Sequence, residues 1–324
     1  MTTNVVFEFL NRHSSLIFTT HDTADPDGLG AELVLYCIAL SMGKQVRIIN
    51  SSPVPANFRF MDPDKIIETW DEKPGSIPEG TALVILDTTD EYYIGKIKEF
   101  IPRAAEIFVI DHHEPNQFCT FQGYIDPTSS STSEIVVGLA AAARIKISAE
   151  FAAAAYAGIV YDTGFFAYPK TTSRTFKAAL ALAKTGINPN KIYRELNENA
   201  STGAVLLMKT ILSTLEIHNQ GRVAVQILRK EDLEKCGANF EDAENFINIP
   251  LKSKEIEVSI FIKENEEGQI RCSLRSKGNV NVSKIAQTMG GGGHTTAAGF
   301  KSSLTLPETL TEILSKVSEK LDKE

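Results

Sequence analysis

The chain has little cysteine, and what it has is unpatterned. Cys37, Cys119, Cys236 and Cys272 are scattered over 324 residues. A disulfide framework or zinc knuckle needs tighter spacing, so these read as reduced thiols. Long apolar runs are also missing. The most apolar stretches, 135–145 and 151–161, are interrupted by Arg144 or bounded by Glu150 and Asp162. Both fall short of the ~20 residues that cross a bilayer, so no membrane partner is expected. Residues 1–20 hold no basic stretch leading into a long apolar core. No secretory signal is therefore expected, and the cytoplasm is the expected compartment. Net positive charge is absent too: 33 Lys+Arg against 41 Asp+Glu give −8. That argues against a simple DNA or RNA coat, which is basic, and against binding of long duplex DNA.

What is present is an ordinary globular composition, 43% apolar and 23% charged. At roughly 100–200 residues per domain, two domains are the natural prior. The first half alternates short apolar strands with helical patterns. Strands are expected at 15–21 (SLIFTTH), 45–50, 82–88 (ALVILDT) and 106–111 (EIFVID). Helices are expected at 29–42, 133–145, 149–160 and 173–184. This order implies an α/β domain with a doubly wound, mainly parallel sheet covered on both faces. Near Gly186 the texture changes, and 187–201 is polar and Asn-rich. The expected division is a first domain over 1–187, a linker and connecting helix over 188–215, and a smaller α+β domain over 216–324. Its strands are expected at 222–228, 255–263 and 269–276, its helices at 282–289 and 307–321.

The polar residues fall at the strand ends. After the first strand comes His21-Asp22-Thr23-Ala24-Asp25-Pro26-Asp27-Gly28. The third strand ends in Asp87-Thr88-Thr89-Asp90, the fourth in Asp111-His112-His113, and Asp162 ends a fourth apolar segment. Ligands of open α/β sheets bind beyond the carboxyl ends of the strands. Crowded carboxylates raise one another's pKa, and bound cations remove that problem. Oxygen donors with a few imidazoles suit Mn²⁺ or Mg²⁺, leaning toward Mn²⁺. Two such ions can clamp a phosphoryl group and activate a water. The spacing His21-x3-Asp25-x-Asp27 fits a loop wrapped around metal. Asp22 and Asp90 serve equally well as turn formers or caps, and Asp62 and Asp64 beside Pro63 read as turn residues. His13 and His218 carry no signal.

A second signal is Gly290-Gly291-Gly292-Gly293-His294-Thr295-Thr296-Ala297-Ala298-Gly299. Backbone amides of glycine can approach an anion closely and form a nest, and His294 can donate to a phosphate. Residues 268–307 carry Arg271, Arg275, Lys277, Lys284 and Lys301 and no acid. Arg275-Ser276, at an expected strand end, can hold a phosphate bidentately. Lys284 and Lys301 read as a solvated face. The first 187 residues carry 15 basic and 22 acidic side chains, the remainder 18 and 19. The acidity thus gathers where cations are expected.

In these motifs the chain resembles the DHH/DHHA1 phosphoesterase family over nearly its whole length. His21…Asp25…Asp27, Asp87, Asp111-His112-His113 and Asp162 match its four motifs in order, and Arg275-Ser276 with 290–299 matches its accessory domain. The compact length looks most like the small oligoribonucleases (nanoRNases) that also dephosphorylate 3′-phosphoadenosine 5′-phosphate (pAp). The resemblance implies an active site in the cleft between the domains and two divalent ions, Mn²⁺ first, with Mg²⁺ or Co²⁺ as alternatives. It assigns His21, Asp25 and Asp87 to the first ion, and Asp27, Asp87, His112 and Asp162 to the second. Asp111 would orient His112, and His113 would meet the scissile phosphate or the leaving oxygen. Arg275, Ser276, Gly291, Gly292, Gly293 and His294 would grip the terminal nucleotide. The implied activity is hydrolysis of short oligoribonucleotides to 5′-mononucleotides and of pAp to AMP, with a homodimer compatible. Asn281 stands where the family often has an acid, which bears on fine substrate preference. Linear dinucleotides such as pApA or pGpG and cyclic dinucleotides are alternative substrates. A non-enzymatic nucleotide sensor of the same fold would have lost a metal ligand, and every one is present.

Overall fold

The computed structural model describes residues 4–70, 77–114, 121–265 and 267–321; Cys119 lies outside these. The chain divides into two compact units, Met1–Asn199 and Ala200–Glu324. The first opens with α1 (Asn4–Arg12), β1 (Ser15–Thr19), α2 (Pro26–Ser41), β2 (Gln45–Asn50) and β3 (Ile67–Thr69). It continues with β4 (Ala82–Leu86), β5 (Ile107–Asp111) and β6 (Gln122–Ile125), then α3 (Thr132–Ala142), α4 (Ala149–Asp162), α5 (Ser173–Ala183) and α6 (Pro189–Asn197). Its six strands are all parallel, in the order β3-β2-β1-β4-β5-β6. Consecutive side chains on a strand point to opposite faces. Leu16, Phe18, Val84 and Ile110 join the core under the helices, while Ile17, Leu83, Ile85 and Val109 pack with Ile97 and Phe100 on the other face. With both faces buried, the strands read as unbroken apolar runs.

β3 and β6 were not expected. They are short edge strands, and β6 (QGYI) carries little apolar signal. A second correction concerns 187–201, expected as a linker. Asn188 caps α6 by accepting from the Lys191 amide at 3.1 Å, Pro189 opens it, and Ile192 is buried in the first core. The first unit therefore runs to Asn199 rather than to residue 187. One apolar side chain per turn is enough to dock a helix that is polar elsewhere.

The second unit contains α7 (Thr202–Ser213), β7 (Glu216–His218), β8 (Val223–Leu228), α8 (Lys230–Cys236), β9 (Val258–Glu264) and β10 (Ile270–Ser276). It closes with α9 (Val282–Thr288), β11 (Gly292–His294), β12 (Ala297–Ser302) and α10 (Leu306–Leu321). Its mixed sheet has the order β11-β12-β10-β9-β8-β7, with only β8 and β9 parallel. α9 and α10 contribute to the core on one face, α7 and α8 to that on the other. Cys37, Cys236 and Cys272 are free thiols. Among the described residues no helix is long and apolar enough to cross a membrane.

α2 is buried almost all round, packed against α3 and α4. Glycines permit this approach. A Cβ on Gly30 would stand 2.7 Å from the Ala154 carbonyl oxygen. One on Gly158 would stand 2.4 Å from Ser133 Oγ and 2.8 Å from the Pro26 carbonyl oxygen. Backbone cannot yield as a flexible side chain can. Gly158→Ala should therefore cost about 1–3 kcal/mol by overpacking. Urea denaturation checks this, with Gly138→Ala, an exposed α3 position whose Cβ meets nothing within 4 Å, as a control that should gain up to about 1 kcal/mol from helix propensity.

Candidate metal centre

The strand order changes direction between β1 and β4, so a crevice opens at their carboxyl ends. His21 follows β1. Asp25 is the N-cap of α2, its Oδ1 accepting from the amides of Asp27 (2.9 Å) and Gly28 (3.2 Å). Pro26 occupies the first helical turn, where a missing N–H costs nothing. The segment 25–27 is thus a helix start rather than a wrapped loop, and Asp27 is fully buried in its first turn. Asp87 comes directly after β4 with φ 62°, a left-handed conformation that Asp tolerates better than most residues. Asp111 is the last residue of β5 and Asp162 the last of α4.

These elements bring all six sequence-predicted ligands together. His21 Nε2 lies 3.8 Å from Asp25 Oδ1 and 3.7 Å from Asp87 Oδ2. His112 Nε2 lies 3.6 Å from Asp87 Oδ1, 3.8 Å from Asp27 Oδ2 and 3.1 Å from Asp162 Oδ2. Donor atoms of His21, Asp25 and Asp87 fall within 4.8 Å of one another, as do those of Asp27, His112 and Asp162. Asp87 also groups with Asp111, His112 and His113.

The electrostatics show what the cluster lacks without a cation. Burial, then the neighbouring Asp162 charge, pushes Asp27 up to about 7. Burial and the charges of Asp27, Asp25 and Asp162 hold Asp87 well above the carboxylate range. Burial disfavours a charged His112, but the carboxylates of Asp162, Asp27 and Asp87 outweigh it and push the imidazole up to about 9. Both His112 ring nitrogens and Asp111 Oδ2 are buried without a hydrogen-bond partner. The 3.1 Å approach to Asp162 is close but lacks hydrogen-bond geometry. A divalent cation would satisfy the bare imidazole and relieve the repulsion, and the oxygen-and-nitrogen donor set suits Mn²⁺ or Mg²⁺. The residues fit a metal centre.

The supporting residues were not anticipated. The amides of Thr132 and Ser133, at the start of α3, donate to Asp27 Oδ2 (2.6 Å) and Oδ1 (2.8 Å). The Thr132 hydroxyl donates to Asp87 Oδ1 at 2.9 Å. A helix N-terminus favours a carboxylate there. The signal was legible as a capping box, Ser131-Thr132-Ser133-Glu134 before an apolar run; Ser131 Oγ accepts from the Glu134 amide. Glu134 in turn accepts from Ser130 Oγ at 2.6 Å and pairs with Arg174. Under the cluster, the buried Glu32 accepts from Asn50 Nδ2 at 3.0 Å, and Asn50 Oδ1 accepts from the Thr20 amide at 3.2 Å. Burial pushes Glu32 up to about 8.

Asp111 departs from its expected partner. Its Oδ1 accepts from His113 Nδ1 at 2.8 Å and from the amides of His112 (2.7 Å) and His113 (3.0 Å). It orients the exposed His113 ring, not the His112 ring, because the turn after β5 folds His113 back over it. Asp90 accepts from the Tyr92 amide, a turn role, whereas Asp22 accepts from Ser52 Oγ, thirty residues on, and ties two loops together. Asp62 accepts from the amides of Ile66 and Ile67, also a turn role.

In the second unit the glycine run is not an open nest. Gly290 ends α9 with φ 76°, and Gly292–His294 pairs with β12 across a turn at Thr295-Thr296. A Cβ on Gly291 would meet the Gly299 carbonyl oxygen at 2.2 Å, so strand packing requires that glycine. Cross-strand register puts Arg275, Ala297 and His294 in one row. Arg275 and His294 thus share a face at about two strand spacings, ~10 Å. Ser276 is buried, its hydroxyl donating to the Val280 carbonyl at 2.7 Å. Asn281 caps α9 by accepting from the Lys284 amide, which gives that residue a structural use.

Asp27, Asp87, Glu32, His21 and His112 all have raised pKa values. The folded, metal-free protein then holds more protons than the unfolded chain, so its stability falls as pH rises. In chelator the Tm should drop steadily from pH 5 to pH 9. Saturating Mn²⁺ displaces these protons and should flatten or reverse the slope, measurable by scanning calorimetry. Thr132→Val, which deletes the hydroxyl on Asp87, should weaken Mn²⁺ binding about tenfold by titration calorimetry.

Comparison with known proteins bears on this geometry. Residues 15–159 match the DHH family N-terminal domain, and residues 220–323 match the DHHA1 domain. A bifunctional oligoribonuclease and PAP phosphatase NrnA of Thermus thermophilus is 28% identical over 307 residues, covering 94% of this chain and 90% of that protein. The cyclic-di-AMP phosphodiesterase GdpP of Bacillus subtilis is 26% identical over 96% of this chain but only 49% of its own length. The crystal structure of an exopolyphosphatase-related protein from Bacteroides fragilis superposes with a TM-score of 0.88 at 27% identity, covering 98% of this chain and 95% of that one. With both domains matched in order, the chain belongs to the DHH/DHHA1 phosphoesterase family of hydrolases.

Proposed function

We propose that the protein is a Mn²⁺-dependent phosphoesterase of short nucleotides, shortening oligoribonucleotides to 5′-mononucleotides and converting pAp to AMP. The observation that carries this reading is one buried carboxylate, Asp87, within reach of His21 on one side and His112 on the other. That is the donor pattern of two adjacent cations sharing a ligand. His21, Asp25 and Asp87 would hold one, and Asp27, Asp87, His112 and Asp162 the other. When bound, two divalent cations neutralise the carboxylates, polarise phosphoryl oxygens and lower the pKa of a water. NrnA-type relatives matched over nearly their full length support the substrate class.

The chain's own groups do the remaining work. Asp111 accepts from His113 Nδ1 and so fixes that ring's tautomer and direction. The ring is 58% exposed, which leaves Nε2 available to donate to the scissile phosphate or the leaving hydroxyl oxygen. Arg275 and His294, sharing one sheet face, would hold a terminal phosphate, with Ser276 and Gly291 to Gly293 shaping that end of the sheet. The acidic total charge agrees with short substrates, since a long strand wants an extended basic groove. The match to GdpP favours a second reading in which linear or cyclic dinucleotides are the main substrate.

A panel of pAp, pApA, longer RNA, short DNA, cyclic di-AMP and pyrophosphate, with one Mn²⁺ preparation, separates the readings. Turnover should be highest on pAp and pApA and vanish in chelator. Asp87→Ala and His112→Ala should abolish it in protein that remains folded by circular dichroism. Arg275→Ala should raise KM about tenfold or more with kcat little changed, as loss of a charge-assisted contact implies. Retained turnover in Asp87→Ala would overturn the reading.

A further inference from the structure

The segment after Asp162 carries a run of left-handed residues, Gly164, Phe165 and Phe166. α4 ends in a Schellman-type cap, the Phe165 amide donating to the Val160 carbonyl at 2.7 Å and the Gly164 amide to the Tyr161 carbonyl at 3.1 Å. Gly164 has φ 54°, as that cap requires. One left-handed residue suffices for the cap, yet Phe165 (φ 57°) and Phe166 (φ 68°) are left-handed too. Each costs a bulky residue roughly 1–2 kcal/mol, and such strain persists only where the surroundings enforce it. Thr163 enforces it. Its Oγ1 accepts from the Phe166 amide at 3.1 Å, and its carbonyl accepts from the amides of Ala167 and Tyr168, each at 2.9 Å.

The result is that two adjacent rings part company. Phe166 packs against the first core and stacks on Phe176 at 5.2 Å between centroids. Phe165 stays 38% exposed and meets the edge of Tyr193 on α6 at 5.2 Å and 68°, and Tyr193 is itself 44% exposed. By chain length alone the Phe165 Cα lies within about 11 Å of that of Asp162. This is comparable to the span from phosphate to base in one nucleotide. A partly exposed apolar ring, in contact with a second ring and three residues along the chain from Asp162 of the candidate metal cluster, suits a planar aromatic group tethered to a phosphate.

We infer that Phe165, braced by Tyr193, is a stacking surface for the nucleobase of the nucleotide whose phosphate meets the metal cluster. This deepens the phosphoesterase reading and rests on it. The test compares 5′-AMP with ribose 5-phosphate, which lacks the base, by titration calorimetry on the full-length, Mn²⁺-loaded protein. The wild type should bind AMP about tenfold more tightly, as one stacked base implies. Phe165→Leu and Tyr193→Leu should erase most of that preference, and Phe165→Tyr, which keeps the ring, should retain it. Equal affinities in the wild type, no measurable AMP binding, or an intact preference in Phe165→Leu would overturn the inference. A Phe165→Leu protein that merely changes from dimer to monomer and keeps its preference would overturn it as well. Turnover of pApA by the same wild-type preparation is read separately: its absence sinks the phosphoesterase reading and leaves the binding comparison standing.

Discussion

Carboxylates pressed together out of water repel, and much of the first unit is built around holding them there. Asp27 and Asp87 are buried beside Asp162, and both are pushed toward the protonated form. The α3 N-terminus offsets part of this by spending two amides on Asp27 and a hydroxyl on Asp87. The rest is left for a cation. A cation there would also pair with the imidazole of His112, which is buried without a hydrogen bond, a condition otherwise costly in a folded protein.

Topology decides where the need is concentrated. Parallel strands end at one edge, and the reversal of order between β1 and β4 keeps that edge open. β1, β4 and β5 each deliver a residue of the cluster within a residue or two of their last paired position, where backbone pairing fixes its place. α4 closes the set with Asp162. The small residues where α2, α3 and α4 meet let the helices approach until Ser133 touches the first turn of α2, its hydroxyl donating to the Asp27 carbonyl at 3.0 Å. Packing and ligand geometry are thus one arrangement.

The residues of the cluster were legible in the sequence because most follow the end of an apolar run, and the runs were long enough to read. The family match in both domains was legible for the same reason. What escaped was whatever depends on a partner distant in sequence. Glu32 looks like an ordinary helix residue until Asn50, eighteen positions on, is found donating to it. The resemblance pairs Asp111 with the His112 ring, whereas the turn after β5, which no spacing encodes, brings the His113 ring to it. The glycine run looked like an anion nest, yet Gly291 and Gly293 are small because another strand lies against them. α6 was taken for linker because its docking residues, Ile192 and Leu196, are outweighed by polar neighbours.

The central claim is that this edge holds two cations that share Asp87. Anomalous diffraction from crystals of the full-length protein grown with Mn²⁺ tests it most directly. The account predicts two peaks, one among His21, Asp25 and Asp87 and one among Asp27, Asp87, His112 and Asp162. Strong Mn²⁺ peaks elsewhere with none at these positions, or one peak that leaves His112 unliganded, would contradict it.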